Sequence, residues 1–232
     1  TLMSVDRKKL LSLPLAISVL AGIGLAYLLG WSSVFNVEKL VITGAPNETV
    51  RIQIEKRSDI EIGEKLARVN PSSSERKIGK ISWVREVSIS RNWLSGEVTV
   101  AISPREPLAF FNADQVPGQT IDQDGSLFVL PGYANDQLAL ISAKSPQSAL
   151  KANELFIDLP EEFRSRISSM VATSDNTFTL IKEVKNRSIR IRWGDSSEMT
   201  LKIAVIEKLL NLPENKGITL IDVVAPHAPI VK

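Results

Sequence analysis

The chain has 232 residues, of which 44% are hydrophobic and 23% charged, with mean hydropathy +0.04. Its 28 basic residues are balanced by 26 acidic ones, and no segment concentrates positive charge as a nucleic-acid-binding surface requires. There are no cysteines, so disulfides, Cys-ligated zinc and thiol nucleophiles are excluded.

From Leu10 to Leu29 the sequence LLSLPLAISVLAGIGLAYLL carries no charge. About 20 apolar residues suffice for a transmembrane helix. Arg7, Lys8 and Lys9 precede it, and the next basic residue is Lys39, so the positive-inside rule puts the N-terminus in the cytoplasm and the rest outside. Tyr27 and Trp31 fall where interfacial aromatics belong, and the run is longer than the apolar region of a cleaved signal peptide, with no good cleavage site in Gly30–Phe35. The expectation is a cytoplasmic tail over residues 1–9, missing its start because the chain opens on Thr1, then a single transmembrane helix over 10–31.

After a spacer at Ser32–Val34, Phe35–Gly44 reads as a strand whose alternation slips between Val37 and Leu40, predicting a bulge or an irregular start. Asn47 or Thr49 can cap a helix that buries Val50 and Ile54. Gly63 breaks the chain. Ser72-x-x-Glu75 reads as a capping box opening a short helix through Ile78. Val87 and Ile89, then Val98, Val100 and Ile102, alternate with polar or small residues around the Gly-containing break at Asn92–Gly96. That is a β-hairpin with one buried face. The order strand, helix, helix, strand, strand makes a small α+β unit.

Beyond Leu108 the pattern is richer in strands. LAFFN is a strand, and Asp122–Gly125 turns a hairpin within Thr120–Val129. Ser145-Pro146 starts a helix in which Ala149, Ala152 and Phe156 share a face. Strands follow at Ile167–Thr173, Thr177–Ile181 and Ser188–Trp193. A second helix over Glu198–Leu210 carries a stripe of Leu201, Val205 and Leu209. A strand Ile218–Val224, a Pro-flanked turn and a short strand Ile230–Lys232 end the chain.

No residue set amounts to an active site. His227 is the only histidine, it lies in a turn, and no Gly-x-Ser-x-Gly elbow accompanies it. Asp122-x-Asp124-Gly125 lacks the acidic spacing of a calcium loop. Glu161, Glu162 and Glu183 form no fixed carboxylate pair. Trp83, Trp93 and Trp193 sit at strand ends, where packing is the ordinary explanation. No catalytic, metal-binding or cofactor-binding residue is assigned, and neither a cofactor nor a small-molecule substrate is expected.

Phe35-x-Val37-x-x-Leu40-x-Ile42-x-Gly44, Gly63-x-x-Leu66, Ile81-x-Trp83-Val84-x-x-Val87-x-Ile89-x-Arg91-x-Trp93, Val98-x-Val100, Arg105-Glu106-Pro107-Leu108-Ala109 and Ile121-Asp122-x-Asp124-Gly125-x-x-Phe128 together resemble the bacterial cell-division family FtsQ/DivIB. The resemblance spans nearly the whole chain, and residues 218–232 resemble actinobacterial members. Two departures are Ser103-Pro104-Arg105, where the family more often has an acidic residue before the arginine, and Ser82, where proline is common.

The resemblance implies a POTRA-like βααββ domain over 32–107 and a β domain of mixed or antiparallel sheet with helices over 108–232. It implies a non-enzymatic scaffold of the division septum, which links early and late division proteins and supports septal peptidoglycan synthesis. Its implied partners are FtsB/DivIC-like and FtsL-like single-pass proteins and the FtsW/septal synthase complex. Strand addition at the last sheet edge is implied, with Thr219, Ile221, Val223, Val224, Ala225, Ile230, Val231 and Lys232 as the partner-binding residues. Among these, Val223, Ala225, Ile230 and Val231 are expected to point outward and set selectivity. The competing readings are a POTRA-bearing envelope assembly or transport factor, although barrel strands are lacking, and a membrane-anchored cell-wall hydrolase.

Overall fold

The computed structural model describes residues 7–30, 35–184 and 187–232. The start of the expected tail (1–6), Trp31 and the spacer Ser32–Val34 lie outside the described residues.

The first element, α1, is a continuous helix from Arg7 to Gly30. Its side chains are described from residue 15 to 27, and they are exposed throughout. Among the described residues no helix is long and apolar enough to cross a membrane.

Beyond α1 the first compact unit, which reaches Pro104, contains β1 (Lys39–Thr43), α2 (Glu48–Ser58), α3 (Pro71–Ile78), β2 (Val84–Asn92) and β3 (Glu97–Pro104). The strands order as β1-β3-β2, with β1 parallel and β2 antiparallel to β3. The parallel pairing follows from the two-helix crossover, because adjacent parallel strands need a long connection. The start of β1 is irregular as expected. Gly96 O accepts from both Glu38 N–H and Lys39 N–H, at 2.8 and 3.4 Å. At Gly44 (φ +81°) a Cβ would overlap the carbonyl oxygen of Ile102, so only glycine fits there.

Asn47, not Thr49, caps α2 by accepting from Val50 N–H, and Val50 and Ile54 are buried as the spacing predicts. The Ser72–Glu75 capping box does not form. Asn70 caps α3 instead, accepting from Ser73 N–H at 3.1 Å, and Pro71 takes the first helical position. Glu75 reaches out of the helix, and its Oε1 accepts from Ile89 N–H at 2.9 Å. Ile89 stands opposite Val100 on β3, while this N–H faces α3 on the sheet's outer edge. The carboxylate therefore covers one of the groups that β2, as an edge strand, would leave open.

The second unit, residues 105–232, contains one mixed nine-stranded sheet. Its first strands are β4 (Ala109–Phe111), β5 (Gln119–Ile121), β6 (Leu127–Val129) and β7 (Leu140–Ala143). The helices α4 (Pro146–Asp158) and α5 (Glu161–Arg164) follow, then β8 (Ile167–Ser174), β9 (Thr177–Val184) and β10 (Arg187–Gly194). Helix α6 (Met199–Asn211) precedes β11 (Leu220–Asp222) and β12 (Ile230–Val231). The spatial order is β12-β11-β10-β9-β8-β7-β4-β5-β6.

Ser145 caps α4 by accepting from Ser148 N–H. Register aligns Phe111, Ile141, Met170, Leu180, Ile191, Ile221 and Val231 in one row across seven strands. This row lies on the buried face, with Ala149, Ala152 and Leu155 of α4, Phe163 of α5 and Ile206 of α6 in the same core. The stripe expected on α6 is displaced. Lys202 and Ile206 form its buried line, while Leu201, Val205 and Leu209 are only half-buried. Lys202 can occupy the core because its ammonium reaches Asp195, whose backbone oxygen and Oδ1 lie at 2.9 and 3.1 Å.

Candidate partner-binding site

The last edge of the nine-stranded sheet is β12. It pairs antiparallel with β11, matching Ile221 to Val231 and Asp222 to Ile230. Lys232 N–H donates to Leu220 O and Leu220 N–H to Lys232 O, both at 3.0 Å, so these two residues form a hydrogen-bonded pair. By antiparallel alternation the neighbouring Ile221–Val231 pair is non-hydrogen-bonded. The N–H and C=O of Val231 therefore point away from β11, into the open edge. No partner for that N–H exists among the described residues, in contrast with the covered Ile89 on β2. Two residues before Val231, Pro229 has no N–H to offer, which keeps the donor edge to a single residue.

The eight residues expected here separate by face. Ile221 and Val223 are fully buried in the helix-covered core. The expectation that Val223 points outward is corrected: β11 lies between β10 and β12, and its phase turns Ile221 and Val223 inward. Val231 shares the row of Ile221 and is half-buried against the core, so its outward offering is backbone. Ile230 stands on the opposite face and is 55% exposed, while Val224 is 52% exposed. Thr219, Ala225 and Lys232 are exposed, and Thr219 N–H donates to Lys232 O at 2.7 Å.

Residues not singled out in the sequence complete the edge. Leu220 fixes the register of β12, and Asp222 sits between Ile230 and Arg192 on the open face, with Arg192 Nη1 at 2.6 Å from its Oδ2. Asp222 was legible as the polar member of an alternating strand. Its ion pair was not, since Arg192 lies 30 positions earlier.

Several of the residues weighed for chemistry have side-chain or backbone partners. His227 Nε2 lies 3.3 Å from Glu198 Oε1, both exposed. Glu183 accepts from Ser188 Oγ. Asp122 Oδ1 accepts from the N–H groups of Asp124 and Ser126, and its Oδ2 lies 2.7 Å from Arg105. Burial alone would raise the Asp122 pKa, but the Arg105 hydrogen bond and the backbone N–H groups outweigh it and hold it below the usual carboxylate value. Among the described residues no cluster of three or more His, Asp or Glu could hold a metal ion. Glu161 lies on a groove of about 730 Å³ beside Arg164, Phe156 and Ile157, a concavity that the sequence does not reveal. Trp83 and Trp193 are buried in the two cores, and Trp93 meets Phe35 edge-on with centroids 6.0 Å apart.

The family model "POTRA domain, FtsQ-type" matches residues 35–105, and "Cell division protein FtsQ/DivIB, C-terminal" matches residues 110–223. The chain is 25% identical over 229 residues to the cell division protein FtsQ of Streptomyces bingchenggensis, covering 92% of this chain and 82% of that protein. It is 26% identical over 129 residues to FtsQ of Salinibacter ruber, covering 53% and 48%. The first matched segment contains the βααββ unit and the second takes in β4, from its second residue, through β11, so the chain belongs to the FtsQ/DivIB family of bacterial cell-division proteins.

Proposed function

We propose that this protein is a membrane-anchored divisome scaffold that takes a strand from an FtsB/DivIC–FtsL-type partner on the open edge of β12. A cell-division role, membrane association and protein–protein interaction follow from the family, which is a non-catalytic scaffold family. The anchor reading rests on the uncharged sequence from Leu10 to Leu29 and on the helical backbone of α1, about 36 Å long at 1.5 Å per residue. In this topology the N-terminus is cytoplasmic, and the POTRA and β units work outside the membrane at the septum, supporting peptidoglycan synthesis through the FtsW/septal synthase complex.

The observation that carries the binding site is the open N–H and C=O pair of Val231. An added strand gains main-chain hydrogen bonds there, and the exposed Ile230 supplies apolar contact on the open face. Val231→Pro is a selective test, because the N–H it removes is not one that β12 gives to β11. The expected result is at least tenfold weaker binding of a purified FtsB/DivIC-like fragment with an unchanged melting temperature, by calorimetric titration and thermal denaturation. Unchanged affinity would remove β12 as the site.

A further inference from the structure

The turn between β2 and β3 presents Leu94, which at 98% is the most exposed of the large hydrophobic side chains described. A single exposed leucine is ordinary in itself, but its setting is not. The Asn92 side chain accepts from the N–H groups of Leu94 and Ser95, at 3.0 and 3.2 Å, so the turn is preformed. Gly96 (φ +66°) packs so closely that a Cβ would crowd the carbonyl oxygen of Asn36. Residues 92–96, Asn-Trp-Leu-Ser-Gly, carry no charge. Beside Leu94, Trp93 is half-buried against Phe35, and the Arg91 guanidinium sits 5.3 Å from its ring centroid.

The position of this turn along the chain supplies the occupant. Phe35 is separated from the last residue of α1, Gly30, by residues 31–34 alone. Even fully extended, that connection reaches no more than about 18 Å. The turn is held to the same end of the unit as Phe35, by the ring contact with Trp93 and by Glu38 N–H donating to Gly96 O at 2.8 Å. If α1 spans the bilayer, the tip therefore lies within reach of the headgroup layer. A tryptophan with an apolar neighbour in a turn that itself carries no charge suits that interface, where an amphipathic ring sits between hydrocarbon and water.

We infer that the Trp93-Leu94 tip of the POTRA unit rests in the outer interface of the lipid bilayer as a second membrane contact, which restricts how the unit tilts on its anchor. This rests on the anchor reading of α1 given above.

The absence of cysteine makes the test clean, since Leu94→Cys, Lys80→Cys and Ala21→Cys each introduce a unique thiol for an environment-sensitive fluorophore. Lys80 is exposed and lies just before β2 begins, at the end of the hairpin away from the turn. The full chain is reconstituted into vesicles of phosphatidylcholine and phosphatidylglycerol containing spin-labelled lipids, with the quencher either at bilayer depth or just below the headgroups. The expected result is deep quenching at position 21, and shallow quenching at position 94 several-fold stronger than at position 80. Deep quenching at 21 with equal, weak quenching at 94 and 80 overturns the tip contact and leaves the anchor standing. Loss of quenching at 21 overturns the anchor, and the tip contact falls with it.

Discussion

Two lysines lie in the core of the β unit, and each has an aromatic ring within reach. Lys182 Nζ is 3.7 Å from the Phe163 ring centroid, and its polar neighbours are Phe163 O and Glu207 Oε1, both at 3.5 Å. Burial is the leading cause that pulls the Lys182 pKa below its ordinary value, only partly opposed by Glu207. In the interval between that lowered value and the unfolded one, near 10.4, the unfolded chain binds more protons, so stability rises with pH there. Lys182→Met should abolish this alkaline rise and be neutral or stabilising near pH 7, because apolar replacement of a buried ion is often favourable. Urea unfolding from pH 7 to 10 reads both effects. Asp195 shows the opposite arrangement. Hydrogen bonds from the Ser197 side chain, the Lys202 ammonium and the Ser197 N–H lower its pKa to about 2. A lowered carboxylate pKa contributes stability above the unfolded value near 3.9, and that contribution is lost as pH falls toward 2. Asp195→Asn should therefore flatten acid unfolding between about pH 4 and pH 2, as followed by circular dichroism.

At the scale of elements, what was legible is what depends on local chemistry. The β2–β3 hairpin followed from alternation, and the α4 start followed from Ser145-Pro146, because a cap and a fixed φ act within one turn. The α3 cap shows how a local motif can mislead. Ser72-x-x-Glu75 matches a capping box, but Asn70 stands one residue before a proline suited to the first helical position, and Glu75 is drawn instead to Ile89 N–H on β2. Asn70→Ala should cost about 1 kcal/mol, while Ser72→Ala should stay within about 0.5 kcal/mol, both by chemical denaturation. The α6 stripe was misread because a lysine was counted as polar, whereas Lys202 buries its stem and delivers its charge to Asp195. The inward phase of Val223 was out of reach of alternation alone. It is set by β11 pairing parallel with β10, a contact made across 30 positions.

For the whole molecule, the sheet and core of the second unit are built entirely from residues after Arg105. Nine strands and three helices enclosing one apolar row amount to an independent folding unit. A fragment spanning 105–232 should melt cooperatively and retain the near-ultraviolet dichroism of the buried Trp193, and a non-cooperative melt would contradict this division. The family and its βααββ-plus-sheet layout were readable because strand periodicity and turn residues recur in a specific order. The open edge at β12 was readable only as a place, because which groups face outward depends on a register that no single segment encodes.

From β7 onward the second sheet grows in chain order, each strand of β8 to β12 lying beside the one before it. An interrupted chain lacking residues 230–232 would keep most of the core row but end its sheet at β11, where Leu220 and Asp222 are the residues whose hydrogen bonds now go to β12. Those edge groups are one residue out of phase with Val231, so the open donors and acceptors would be offered at different positions along the edge. The final two-residue strand thus decides which backbone donors and acceptors the sheet leaves open on this side.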